Sequence, residues 1–228
     1  MNLPKESAYL TDKIAKLIDH TLLRPEATKN EILNLCNEAK KYGFATACVN
    51  SSFVEFAVKA GAKVTAVVGF PLGACATEIK VKEAGFVVEK GAAEIDMVVN
   101  LGLIKEARWA EVENEIRLIA NETRGKILKV ILETCLLTDQ EKIAACKVSE
   151  NAGAQFVKTS TGFSKGGATV ADIALMRKSV SESMGVKASG GIKTLADAIQ
   201  MVEAGATRLG TSQSVAIVTQ SITENSSY

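Results

Sequence analysis

Gly153-Ala154-Gln155-Phe156-Val157-Lys158-Thr159-Ser160 is a glycine followed by a short β-rich run that ends in polar residues. Glycine tolerates the left-handed backbone that commonly ends a helix, so the segment marks a helix-to-strand junction. The pairing recurs six more times along the chain. Gly43, Gly61, Gly91, Gly125, Gly185 and Gly205 stand immediately before the runs 44–49, 62–68, 92–99, 126–132, 186–189 and 206–210. The reverse junctions are marked as well. Thr28 with Glu31, Ser52 with Glu55, Thr138 with Glu141, Thr169 with Asp172 and Thr194 with Asp197 match the Ser/Thr-x-x-Asp/Glu helix start. With the run 14–21 ahead of the first such helix, eight strands alternate with helices, which predicts a (β/α)8 barrel. The rival, an open doubly wound sheet, would carry a G-x-G-x-x-G turn after its first strand, and none is present. No linker divides the chain, so one barrel domain over residues 1–228 is expected, with a loose tail from about 219.

Composition narrows the function classes. The chain has 228 residues, 47% hydrophobic and 23% charged, as a soluble globular protein does. Its 27 basic and 26 acidic side chains leave a formal charge of +1, without a dense basic block, so nucleic acid is not an expected partner. Lys5, Glu6, Asp12 and Lys13 interrupt the N-terminus where a leader would be apolar. The longest uncharged stretch, 64–77, contains Gly69, Pro71 and Gly73 and is too short to span a bilayer. A cytoplasmic protein without a membrane partner is expected. Five cysteines form no C-x-x-C pair, which predicts reduced thiols and no structural zinc. The single histidine, His20, speaks against a catalytic zinc site, and its own role reads as core packing.

In such barrels the active site lies at the C-terminal mouth, so polar residues ending apolar strands are the candidates. They are Asp19, His20 and Thr21 on strand one, Asn50 after two, Asp96 and Asn100 on four, Glu133 on five, Lys158 on six and Lys187 on seven. Alternation places Lys158 on the face of Ala154 and Phe156. By itself that position suits a snorkelling lysine as well as a catalytic one. Lys187 occupies the equivalent position on the next strand, about 4.8 Å away. Repulsion of two ammonium groups at such range is about 4 kcal/mol at an effective dielectric near 20, enough to drive one lysine toward the neutral amine. A neutral lysine is a nucleophile. Asp96 is expected to hold Lys187 charged and to move protons. The turns 159–162, 190–191 and 210–212 supply backbone N–H groups and hydroxyls where barrels commonly bind phosphate.

Four ordered motifs resemble those of the deoxyribose-phosphate aldolase family: Ile18-Asp19-His20-Thr21-Leu22, Glu94-Ile95-Asp96-Met97-Val98-Val99-Asn100, Lys158-Thr159-Ser160-Thr161-Gly162-Phe163 and Lys187-Ala188-Ser189-Gly190-Gly191-Ile192. The resemblance runs through nearly the whole chain. It implies reversible cleavage of 2-deoxy-D-ribose 5-phosphate to D-glyceraldehyde 3-phosphate and acetaldehyde through a lysine Schiff base, without metal or organic cofactor. It implies Lys158 as the Schiff-base residue, Lys187 as the cation that depresses its pKa, and Asp96 with a bound water as the proton shuttle. Asp19 and Thr21 would orient the sugar or the water network, Cys48 would line the pocket beside the small aldehyde, although its residue type reads as core packing, and Lys129 would join the polar network below the lysines. Thr161 would contact substrate, while Gly162, Gly190, Gly191, Gly210 and Ser212 would hold phosphate. Tyr228 matches the terminal tyrosine that in some relatives enters the site, and a homodimer is the implied assembly. Two departures from the family pattern, Lys165 and Gln213, fall next to the expected phosphate loops. Fold and nucleophile do not fix the substrate, so a ketone-donor lysine aldolase and a non-catalytic sugar-phosphate sensor are the alternatives.

Overall fold

Eight parallel strands close on themselves in sequential order in the computed structural model, with β1 hydrogen-bonded to β8. The structure describes residues 5–221, the first five as backbone only. The strands are β1 Ile18–Leu22, β2 Thr46–Val49, β3 Val64–Val68, β4 Glu94–Val98, β5 Ile127–Ile131, β6 Phe156–Lys158, β7 Gly185–Ser189 and β8 Arg208–Thr211. The α-helices are α1 Lys5–Ala15, α2 Lys29–Tyr42, α3 Val54–Lys59, α4 Thr77–Glu89, α5 Leu101–Lys105, α6 Trp109–Glu122, α7 Asp139–Asn151, α8 Val170–Ser179, α9 Leu195–Glu203 and α10 Ser214–Thr219. No described helix is long and apolar enough to cross a membrane. The (β/α)8 expectation holds in element order and closure.

Local chemistry sets the junctions. Thr28 and Thr138 each accept from the backbone N–H of the glutamate three residues on, which bonds back to the threonine N–H. Such a capping box is worth about 1 kcal/mol. Thr194 and Asp197 do the same at α9, and Thr169 caps α8. Gly43 ends α2 in the left-handed region, at φ +67°.

Three expectations need correction. The run 14–21 is not one strand: Ile14 and Ala15 close α1, and β1 begins only at Ile18. Ser52 starts no capped helix, because Ser51–Phe53 form a 3-10 turn and α3 follows from Val54 without a side-chain cap. Gly185 is not a helix cap but the first residue of β7, and a Cβ there would come within 2.1 Å of the Phe156 ring. After β4 the chain forms two helices, α5 and α6, separated at Ala107, where φ is +54°. Trp109 opens the second and packs, half-buried, on the core.

The core lies between sheet and helices. Ile95 and Met97 of β4, Leu128 and Val130 of β5, Val157 of β6 and Leu209 of β8 point outward against Ile32, Ala84, Ile116 and Ile173 of the helices. The inward positions alternate with these and are charged: Asp19, Glu94, Asp96, Lys129, Lys158 and Lys187 are all at most 2% exposed. Barrels of this type usually fill their interior with branched aliphatic side chains. Here an ionic network takes that place.

Candidate active site

Register brings the ions together. Lys158 and Lys187 are Cα partners on β6 and β7, and Asp96 and Lys129 on β4 and β5. Asp96 then accepts from three lysines. Its Oδ2 takes Lys158 Nζ at 2.9 Å and Lys187 Nζ at 2.7 Å, while Oδ1 takes Lys129 Nζ at 2.8 Å. Lys187 also donates to Asp19 Oδ2. Lys129 meets Glu94 Oε2 at 2.7 Å, and Arg208 Nη1 bridges Asp19 Oδ1 at 2.7 Å and Glu94 Oε2 at 3.0 Å. Lys63, largely exposed, meets Glu94 from the solvent side.

Within the barrel, four cations (Lys129, Lys158, Lys187, Arg208) thus face three carboxylates (Asp19, Glu94, Asp96). An excess positive charge in a dry interior is costly, and the cation with the fewest carboxylate partners loses its proton most easily. That cation is Lys158, whose ammonium meets only Asp96 among the described residues. Burial is the largest influence pulling the Lys158 pKa below the ordinary lysine value; Asp96 opposes it and Lys187 adds to it. Desolvation therefore leads, and the repulsion expected from the neighbouring cation only assists. Burial also pulls on Lys187, but Asp19 and Asp96 outweigh it and hold that lysine above its usual value. Burial alone would raise Asp96; the three lysines overcome it and hold the carboxylate well below its usual range.

Above this network opens a cavity of about 310 Å³. Lys158 reaches it from below, and Thr21, Thr161, Gly162, Gly190, Gly191, Gly210 and Ser212 border it. Lys187, Asp96, Asp19 and Lys129 do not border it and form the layer beneath. Cys48 is fully buried in a small apolar cluster with Leu23 and Val67, against Phe70, and only Leu23 of the four borders the cavity. Burial pushes the Cys48 thiol up, away from the reactive thiolate. Asn50 donates to the Leu23 carbonyl, and Asn100 caps α5 instead of ending β4. Lys165 is exposed in the loop after β6. Tyr228 lies outside the described residues.

The glycine turns are shaped by contact. Gly162, Gly190 and Gly191 have φ of +87°, +85° and +80°, which side-chain-bearing residues avoid. Gly210 lies in β8 and not in the expected turn, and a Cβ on it would fall 2.1 Å from Ser189 Oγ and 3.0 Å from Lys187 Cε, so only glycine lets this strand lie over the lysine stem.

Several residues escaped the sequence reading. Glu94 and Arg208 complete the network, and period-two alternation with Asp96 and Gly210 is the signal that would have found them. Ser189, Thr211 and the exposed Lys193 also border the cavity. Glu133 stands two residues beyond β5 at φ +55°, instead of on the strand. Its carboxyl accepts from the Thr161 N–H and hydroxyl, and burial raises its pKa.

Known proteins with this architecture share the sequence as well. A deoxyribose-phosphate aldolase of Streptococcus sanguinis is 53% identical over 210 residues, covering 90% of this chain and 96% of its own. One from Bacillus cytotoxicus is 55% identical, covering 90% and 94%. Among solved structures, a putative deoxyribose-phosphate aldolase from Coccidioides immitis superposes with a TM-score of 0.89 at 44% identity, covering 96% and 88%. The aldolase QR15 superposes with a TM-score of 0.88 at 40% identity, covering 91% and 95%. The family model described as DeoC/LacD family aldolase matches residues 13–217. This chain belongs to the DeoC/LacD family of aldolases.

Proposed function

We propose that the chain is a class I aldolase that reversibly cleaves 2-deoxy-D-ribose 5-phosphate to D-glyceraldehyde 3-phosphate and acetaldehyde. The observation that carries this reading is a single buried lysine, short of carboxylate partners, opening into a cavity walled by glycine turns.

Neutral Lys158 Nζ adds to the C1 aldehyde of the open-chain sugar, giving a carbinolamine. Loss of water leaves a protonated imine. The C3 hydroxyl then gives up its proton, C2–C3 breaks, glyceraldehyde 3-phosphate departs, and the bond's electrons remain as an enamine at C1–C2. Protonation at C2 and addition of water release acetaldehyde and the free amine. Asp96, with a bound water, moves these protons. Its strong ionisation makes it a transient carrier that also balances the imine's charge. Lys187 keeps its own proton and stays a cation throughout. Thr21 and Asp19 orient the sugar or the water network, Lys129 completes the layer below, and Cys48 backs the small-aldehyde side.

The phosphate is held by the N–H groups of Gly162, Gly190, Gly191 and Gly210 with Ser212, and Lys193 adds charge from the rim. We assign the chain to the cytoplasm, where its free thiols stay reduced. A homodimer is supported by exposed Ile79 and Phe86, seven residues apart on α4, and by exposed Leu118 on α6, the helix that α4 packs against.

The test compares acetaldehyde with dihydroxyacetone phosphate as donor toward glyceraldehyde 3-phosphate. Product from acetaldehyde alone supports the reading. Preference for the ketone would make the chain another kind of lysine aldolase, and no turnover of either would point to a binding protein.

A further inference from the structure

At Ser212 the short turn from β8 to α10 passes between two spaces. On one side is the main cavity; on the other is a second cavity of about 240 Å³ bordered by His20, Leu22, Asn34, Leu35 and Glu38. Ser212 and Thr21 border both. A turn with room on either side lacks the packing that fixes most buried backbone, so its position depends on polar ties.

One of these ties reaches across the barrel seam to α2. His20, on β1 and 4% exposed, has Ser214 Oγ 2.8 Å from Nδ1 and Glu38 Oε2 2.7 Å from Nε2. Phe44 packs on the ring at 5.1 Å. Ser214 follows the turn directly, and its hydroxyl also lies 3.0 Å from the Thr211 carbonyl. Glu38 accepts at Nε2, which places a hydrogen there and fixes the ring's orientation. The chain Glu38–His20–Ser214 therefore links α2 to the segment that follows β8.

We infer that His20 is a positioning residue for the phosphate-binding turn, held by Glu38 and acting through Ser214, so that it sets affinity for phosphorylated over unphosphorylated substrates. The inference rests on the proposed placement of the phosphate at 210–212. His20 borders only the second cavity, so it does not touch the substrate.

The experiment measures kcat and KM for 2-deoxyribose 5-phosphate and for unphosphorylated 2-deoxyribose, with inhibition by inorganic phosphate, in the parent, His20→Asn, Ser214→Ala and Glu38→Gln. The loss of one hydrogen bond predicts a rise of about three- to tenfold in KM for the phosphorylated sugar and in the phosphate inhibition constant, with kcat/KM for 2-deoxyribose within about twofold of the parent. The Glu38 side chain is half-buried where His20 is buried, so Glu38→Gln disturbs the fold less and carries the test if His20→Asn does not fold. An equal loss on both sugars would show a merely structural residue and overturn the inference. Unchanged phosphate affinity in the folded variants would overturn it too. A parent that neither prefers the phosphorylated sugar nor is inhibited by phosphate would instead remove the phosphate site on which the inference stands.

Discussion

Lys158 and Lys187 are Cα partners on adjacent strands and donate to the same oxygen, Asp96 Oδ2, at 2.9 and 2.7 Å. One carboxylate oxygen cannot neutralise two ammonium groups, and Lys187 has Asp19 as a second partner while Lys158 has none among the described residues. In the proposed mechanism this asymmetry singles out Lys158 as the nucleophile. It also makes the lowered Lys158 pKa a property of the whole ionic layer, not of one pair.

Removing a cation from that layer should raise the pKa of Lys158. In Lys187→Leu, Asp96 Oδ2 is left to Lys158 alone, and the repulsion that helps depress its pKa is gone. Since only the neutral amine attacks, the acidic limb of the kcat/KM profile moves to higher pH and the rate at neutral pH falls. A pH profile checks this, and an unmoved limb would mean that the lysines do not couple.

Arg208 should act in the same direction from farther away. It donates to Asp19 and Glu94 and does not border the cavity. Arg208→Gln takes one cation from the barrel interior, so the acidic limb again moves upward, by less than in Lys187→Leu. The expected KM for substrate is close to the parent's, which steady-state kinetics at several pH values will read.

Gly210→Ala should damage the site through volume. The added methyl would collide with Ser189 Oγ and approach the Lys187 stem. Overpacking of this kind costs about 1–3 kcal/mol, and it shifts the charge that tunes Lys158. Lower thermal stability together with reduced kcat is the expected result, read by calorimetry and kinetics.

Acid should unfold the protein through Asp19 and Asp96. Burial would raise both, but their cationic neighbours depress both in the folded state. A carboxylate depressed on folding contributes stability above its unfolded value, about 4, and loses it as pH falls toward the folded value. The melting temperature should therefore drop steadily below about pH 4. Asp19→Asn should start less stable and show a shallower drop, because one of the two groups no longer titrates.

Much of this was legible in the sequence because alternation and punctuation are local. The glycines and capping threonines mark the junctions, and the spacing within 154–160 and 186–189 puts Lys158 and Lys187 on one side of their strands. What was not legible depends on closure or on backbone angle. Arg208 meets Asp19 and Glu94 only because β8 returns to β1 and the barrel is narrow. Glu133 reaches Thr161 because of a left-handed residue that no glycine announces. Gly185 looked like a helix end and is instead the space into which the Phe156 ring fits. The order of causes behind the Lys158 pKa needed the burial of the whole layer, which a count of neighbouring charges does not contain.

The measurement closest to the central claim is borohydride reduction in the presence of acetaldehyde, followed by peptide mass mapping. A single reduced two-carbon adduct on Lys158, absent from Lys158→Met and from all other lysines, is the predicted result. An adduct elsewhere, or none in enzyme that still turns over, would contradict it.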